Sequence, residues 1–382
     1  MGIVSRLASG WIGIGLAPSV FVLAGVDAIE DGAARSRGNE TVRFDVAQGV
    51  RLKKSFDREV HLATRAEKGT IATGFGFDFE FTLGSWHDIQ QVIFVDAYGA
   101  IERGVPDSIT RSFERIEMEH VHDWSVPELL GHPLAGAVER TGRGELEGEQ
   151  VVFRREEGVV AAPVGIHEAR YSADFMPDAT WLGEADLSDD CLENLRASAD
   201  LSGVLPWQQV GVGDHWYTNV EAFRELVWPS GRLGMLDRDG VPHVVPVDER
   251  LGRDLDGTLR VELTAVERVR GVRYARLDFR GHLESKADFE YEWELDAAST
   301  TYRMEGPIDL ELKASIEGYL WWDLDGGHLD TVEIGGDLEI LQDLSGLTMA
   351  IHWGAWFALI EVLGDQRLWR GKLSASARFE RL

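Results

Sequence analysis

The sequence predicts a mainly β fold with a few helices (α+β), in which long antiparallel meander strands form one or two curved sheets or half-barrels covered by short helices. Three observations carry this. Apolar and charged residues alternate with a period of two through most of the carboxy-terminal half, short turns rich in Asp and Gly join the alternating runs, and only two stretches show helical spacing.

The elements follow in chain order. Arg6 precedes a stretch from Leu7 to Val26 without any charge, and Asp27, Glu30 and Asp31 follow it. That is the order of a secretory signal, with the amino end held in the cytoplasm and the remainder sent across the membrane. Val26-Asp-Ala28 offers tolerated residues for cleavage. A retained single-span anchor is the alternative, because about 20 apolar residues can just cross a bilayer. Residues 1–28 are therefore set apart as a signal peptide or N-terminal anchor, and no cysteine follows the run to take a lipid.

An N-terminal β-rich lobe is expected over residues 29–200. Its strands are Val42 to Val46, Val50 to Ala63, Gly74 to Thr82, Ile89 to Asp96, Ser108 to Val121 and Val151 to Arg155. Phe75, Phe77, Phe79 and Phe81 fall on one face of the third strand, where they serve either as core or as the wall of a hydrophobic ligand site. Helical spacing appears at Leu187 to Ala199 and at Val220 to Trp228, where Pro229 ends the run. A hinge between the halves is expected near Leu201 to Pro206, and a loop from Arg232 to Asp256.

The C-terminal antiparallel lobe, 201–382, alternates most regularly. Strands are predicted at Thr258 to Ala265, Arg273 to Glu284, Ile308 to Trp322, Val332 to Ile340 and Leu373 to Phe379. In the third of these Ile308, Leu310, Leu312, Ala314, Ile316, Leu320 and Trp322 oppose Asp309, Glu311, Lys313, Ser315 and Glu317. A run of about 15 residues far exceeds the usual 5 or 6. Curved sheets of that size enclose cavities, which makes Trp322 a second candidate ligand contact.

Net charge and cysteine content exclude several functions. The formal charge is −28, from 66 acids against 38 bases, so phosphate backbones are repelled and nucleic acid is excluded as a partner. The single cysteine, Cys191, permits neither an intramolecular disulfide nor a cysteine metal cluster.

Candidate chemistry is sparse. His120-Val-His122-Asp123 places His120 and His122 on one face of a strand, as a metal site requires, without an identifiable third ligand. Asp-x-Asp-Gly occurs at Asp237, Asp254 and Asp323, in each case without the third acid and distal Glu of a calcium loop, so it reads as turn chemistry. There is no Gly-x-Ser-x-Gly elbow, no phosphate loop and no dinucleotide fingerprint. No catalytic residues and no cofactor are implied, and an enzyme is not indicated.

Leu205-Pro-Trp-Gln-Gln-Val-Gly-Val-Gly-Asp-His-Trp216 resembles the "Leu-Pro, then Val-x-Val-Gly-Asp-x-Trp" box of uncharacterised exported bacterial β-rich proteins. In those proteins the box separates a "Pro-Leu-x-Gly" segment, here Pro133-Leu-Ala-Gly136, from a half built of long alternating strands. His215 departs from the small polar residue expected there. The family has no established activity. In the box itself Gly213-Asp214 makes a turn and Trp216 anchors the following segment.

By fold analogy such one-sided sheets resemble the half-barrels of periplasmic lipoprotein and lipid carriers. The sequence thus reads as an exported, periplasmic or envelope-associated protein that binds a hydrophobic small molecule or lipid group without catalysis. The alternative is an envelope structural or protein-interaction module with a filled core. A histidine-dependent metal-binding protein or hydrolase stands third.

Overall fold

Alternation becomes ladder, and the ladders run longer than the alternating stretches. The computed structural model describes residues 39–382 apart from 65–68, 73–77, 103–104, 130–131, 155–179, 182–194, 198, 228, 232, 234, 237–241, 244–254, 298–299, 344, 347, 354–355 and 362–365. The first half supplies β1 (Arg51–Thr64), β2 (Gly69–Ala72), β3 (Asp78–Tyr98), a small separate pair β4 (Ile101–Glu102) and β5 (Val105–Pro106), β6 (Ser108–Leu129), β7 (His132–Gly144), β8 (Gln150–Arg154) and β9 (Thr180–Trp181). The second half supplies β10 (His215–Asn219), helix α1 (Glu221–Val227), β11 (Met235–Leu236), β12 (Pro242–His243), β13 (Leu255–Val269), β14 (Val272–Ala297), β15 (Thr300–Asp323), β16 (His328–Asp343), β17 (Thr348–Trp353), β18 (Trp356–Glu361) and β19 (Gln366–Arg381).

All pairings are antiparallel. The main ladder runs β10, β13, β14, β15, β16, β19, β1, β3, β6, and β6 continues onto β8 at one end and β7 at the other. The strands on either side of residue 200 therefore join in one sheet: β19 pairs with β1 from Leu52↔Arg381 to Thr64↔Trp369. The expected division between 29–200 and 201–382 corresponds to no break in hydrogen bonding, and Ser36–Leu382 forms one unit. Met1 to Ala28 lies outside the described residues.

The sheet curls. Asn219 is in ladder with Thr258 of β13, while Ser230 accepts a hydrogen bond from Arg111 of β6. The intervening chain, mostly the seven-residue α1, spans no more than about 25 Å at the helical and extended rises. In a flat sheet β13 and β6 stand seven strands apart, about 34 Å at the usual inter-strand spacing. Curvature brings both within easy reach of the same short segment.

The described residues of 195–231 form an inner segment, and its Leu201, Val204, Val220 and Leu226 join one hydrophobic core with strand residues such as Leu277, Leu320, Trp322 and Val332, all fully buried. Burying side chains of this size contributes about 1.5–3 kcal/mol each before the entropy of ordering is subtracted. The near end of the sheet, where β3 and β15 end and β6 and β14 begin, is filled by this core.

Several expectations are corrected. The run Leu187 to Ala199 lies mostly outside the described residues, and its described part is not helical. Leu195 forms an isolated bridge to Gly231, and the carbonyls of Arg196 and Ala197 accept from Arg111, so the backbone groups a helix would use are spent elsewhere. Val42 to Val46 alternates in burial as a strand would, yet joins no ladder. Its segment bonds in turn to Val210, Gly327 and the Trp322 indole, crossing the near end of several strands instead of following one.

Leu201 to Pro206 is packed into the core, not a hinge, with Leu201 and Val204 inaccessible. By contrast α1 matches the helix expected at Val220 to Trp228, with Leu226 and Val227 buried. The Asp323 unit is a turn: its carboxylate accepts from the backbone N–H groups of Asp325 and Gly326, and Gly327 takes φ +68°, where no side chain sits comfortably. The units at Asp237 and Asp254 are outside the described residues or only partly within them.

Candidate functional site: two polar clusters on the inner face

β1, β3 and β6 place polar residues where the alternation reserves room for apolar ones. On β1 Lys54 and Arg58 are in phase with Leu52, Phe56 and Leu62; on β3 Asp88, Gln90 and Asp96 are in phase with Val92 and Phe94; on β6 Arg111 is in phase with Ile109 and Phe113. All of them are buried. They form two clusters separated by the stacked Phe56 and Phe94.

The near cluster is saturated. Arg111 donates from Nε to Asp96 Oδ1 at 2.7 Å and from Nη2 to Asp96 Oδ2 at 2.8 Å, a bidentate pair. Its remaining donors go to the carbonyls of Arg196 and Ala197 and to Ser230 Oγ. Lys54 Nζ bridges Asp96 Oδ2 at 2.8 Å and Asp200 Oδ1 at 2.5 Å, and the Tyr98 hydroxyl donates to Asp200 Oδ1 at 2.6 Å. The Lys54 and Arg111 charges also lie over the Phe94 ring, at 5.8 and 4.2 Å.

Two cations face two anions, so the group is neutral although every member is buried. Burial pushes the Asp96 carboxyl up, but Arg111 and Lys54 outweigh it and hold it below the usual carboxylate value. Burial, then Asp200, drives the Tyr98 phenol well above its ordinary value, so it stays a donor. This cluster ties the inner segment to three strands.

The far cluster is not saturated. Arg58 donates from Nη2 to Asp88 Oδ2 and from Nη1 to the Val227 carbonyl at the end of α1. Trp86 Nε1 donates to His120 Nδ1 at 2.9 Å, which leaves the imidazole proton on Nε2. His120 Nδ1 is 3.8 Å from Asp88 Oδ1. Burial raises the Asp88 carboxyl, and the Arg58 guanidinium beside it brings it below its ordinary value. Trp86 also meets the Trp369 ring edge-on at 6.5 Å. Gln90, 7% exposed, presents an Oε1 without a hydrogen-bond partner among the described residues.

The residues singled out by sequence divide between these places. His120 belongs to the far cluster, its Nδ1 already occupied by Trp86; His122 is two residues along β6, in register with Trp86. No group of three His, Cys, Asp or Glu side chains arranged to hold a metal occurs among the described residues. Trp322 is fully buried in the near core, its indole N–H bonded to the Arg43 carbonyl. Phe79 and Phe81 lie in β3, in register with Ile71 and Gly69, while Phe75, Phe77 and Cys191 lie outside the described residues.

Sequence reasoning missed Lys54, Arg58, Asp88, Gln90, Asp96 and Arg111. The available signal was their phase with buried neighbours. In the box, Gly213 takes φ +98°, Asp214 Oδ2 accepts from the Gly211 N–H, and the Trp216 indole donates to the Val204 carbonyl, as the turn-and-anchor reading expects.

No family model and no curated protein matches the chain. Among solved structures, the outer membrane protease OmpT from Escherichia coli is 8% identical with a TM-score of 0.22, over 87% of this chain and 97% of that chain. OccK7 of Pseudomonas aeruginosa is 7% identical with a TM-score of 0.18, over 87% and 99%. OprB of Pseudomonas putida is 9% identical with a TM-score of 0.17, over 87% and 94%. Likenesses at this level carry no argument about architecture or activity.

Proposed function

We propose that the chain is an exported, non-catalytic envelope protein that holds a hydrophobic ligand or lipid group against the far half of its curved sheet. One observation carries the reading: the sheet continues past the core that fills its near end, and its apolar positions stay in register as it does. β14 and β15 are 26 and 24 residues long, whereas β1 and β19 have 14 and 16. The excess of about ten residues corresponds to roughly 33 Å of strand.

Along this extension Phe289 pairs with Ile308, Trp293 with Met304 and Leu295 with Tyr302; Met304 pairs onward with Met349, and Met349 with Ile360. The alternate positions pair charge with charge, Glu292 with Glu305 and Glu294 with Arg303. Directly opposed residues share a face, so this register sets apolar positions in one phase and charged positions in the other. The charge order of residues 1–31 and the similarity of the 205–216 box support export.

Native mass spectrometry of protein purified from its own envelope, compared with its denatured mass, tests this. A reproducible excess that disappears on denaturation is expected; its absence, together with apolar dye binding no better than a control protein, overturns the reading.

A second reading, an interaction module with a filled core, is favoured by the 205–216 box itself. There Trp207 is 65% exposed, and Tyr217 at the edge strand β10 is 68% exposed. Large aromatics exposed within one short segment are the kind of surface a partner covers. Slowed hydrogen exchange confined to residues 207–217 on adding envelope fraction would favour this reading.

A further inference from the structure

We infer that the Arg58, Asp88, Gln90 and His120 cluster seats the uncharged, hydroxyl-bearing head of an amphiphile whose tail lies along the far half of the sheet. The inference rests on the ligand-binding reading above and adds the chemistry of the head.

The place comes first. Register sets Gln90 opposite Arg58 on one side and Met118 on the other, and Asp88 opposite Val60 and His120. These residues form one contiguous patch of the inner face. One side of it is closed by the Val227 carbonyl at the end of the inner segment. On the other side β1 and β19 reach their ends at Thr64 and Gln366, and β3, β6, β14 and β15 continue. The patch therefore stands at the boundary between the filled near end and the apolar far half, where the polar end of a molecule lying in the far half would arrive.

The charge of the head follows from the charge of the patch. Arg58 is already matched by Asp88 and bonded to the Val227 carbonyl, so it is not a free cation for a phosphate or carboxylate. An anion would instead meet Asp88 within a chain of formal charge −28. A cationic head would have to displace Arg58 from Asp88. An uncharged head disturbs neither ion.

Hydrogen-bond complementarity then narrows the class. Gln90 Oε1 is an acceptor without a partner, on a side chain more than nine-tenths buried. Leaving such an atom unbonded is costly, and native structures keep few of them. His120, with Nδ1 taken by Trp86, has its proton on Nε2 as a donor. A hydroxyl both donates and accepts, so it suits an acceptor and a donor set near each other. Gln90 and His120 are diagonal neighbours, about 7–8 Å apart and somewhat less at Cβ, so one small polar head can lie against both side chains.

The test is a native mass spectrometry titration of the full chain, delipidated under native conditions, with 1-monooleoylglycerol, methyl oleate and oleate. The expected result is that 1-monooleoylglycerol binds at least about tenfold more tightly than either of the others, as one buried hydrogen bond allows. Gln90→Leu should abolish that preference while methyl oleate binding stays as in the wild type; Gln90→Met serves the same purpose should the leucine variant fold poorly.

Equal affinity for all three probes, or a preference that survives loss of the Gln90 amide in a folded variant, overturns the headgroup assignment and leaves the apolar carrier standing. Tighter binding of oleate overturns the uncharged head in particular. Failure of every probe to bind overturns both the head and the carrier reading.

Discussion

The near and far polar clusters use the same residue types on the same inner face, yet only one of them is complete. Around Arg111 every charge has an opposite charge and the guanidinium donors are spent on Asp96, Ser230 and two carbonyls of the inner segment. Around Asp88 the ion pair with Arg58 is made, but Gln90 keeps an unbonded oxygen. Saturation marks a fastening between segment and sheet; the unbonded oxygen is what the proposed headgroup would answer. Buried ions cost several kcal/mol each to desolvate, so neither cluster is explained by stability alone.

The comparison breaks most sharply at Arg111. Arg111→Met leaves Asp96 buried beside a single lysine that it shares with Asp200, and frees three acceptors on the inner segment. The expected loss is about 5 kcal/mol, the upper end for breaking a buried pair, read as a fall in the urea midpoint with an unchanged slope. Adding Asp96→Leu restores neutrality, with Lys54 left facing Asp200. The double variant should then be no less stable than the single one, a coupling that strictly additive losses would contradict.

Acid should find both clusters, with a sign that follows from Asp96 and Asp88. Their folded carboxyls are held below the unfolded value, so their stabilisation is fully present above about pH 4 and is lost as pH falls through the lower folded value. Urea midpoints should therefore show no loss from these two groups between pH 7 and 5, and a steep loss below about pH 4. In Arg111→Met the part of the decline that comes from Asp96 should shrink, because burial without its main partner lifts the folded carboxyl towards or above the unfolded value. An identical acid profile for the two proteins would remove Asp96 from the account.

Legibility of this molecule from sequence follows the same division. The long strands of the second half were readable because period-two alternation there is nearly unbroken, and Ile308 to Trp322 sits inside β15 as expected. Strand ends were not readable: β14 runs on to Ala297 and β6 to Leu129, because pairing with a neighbour holds a strand together after its own pattern weakens. The polar clusters were invisible for a related reason. A lysine or aspartate in an alternating run reads as a solvent-facing residue, and only a partner on another element, such as Asp200, 146 positions from Lys54, makes its burial possible. His120 was singled out, but its bond with Trp86 was not legible, since Trp86 reaches it across a ladder that no local pattern announces.

Smaller effects sharpen the contrast at the far cluster. Arg58→Met removes the cation beside Asp88 and frees one carbonyl, against three acceptors freed at Arg111, so the expected loss is about 3 kcal/mol, less than at Arg111. Trp86→Phe keeps the ring packing against Trp369 and deletes only the indole donor, for about 1 kcal/mol. Its informative readout is the imidazole nitrogen spectrum of His120. With the Trp86 proton gone, nothing pins the Nε2–H tautomer, and the Nδ1 resonance should move; an unmoved signal would mean that Trp86 does not set the tautomer.

The smallest change falls on the residue that distinguishes the two clusters. Gln90→Met keeps chain length and volume while removing an acceptor that the protein does not itself satisfy. A buried amide that had been fully bonded within the protein would cost about 1–3 kcal/mol to lose, whereas an unbonded one costs nothing and its removal should leave stability level or raise it by up to about 1 kcal/mol. The measurement is made on delipidated protein, where no ligand supplies the missing donor. A loss above about 1 kcal/mol there would show that Gln90 is fastened like Arg111, and the difference between the clusters would disappear.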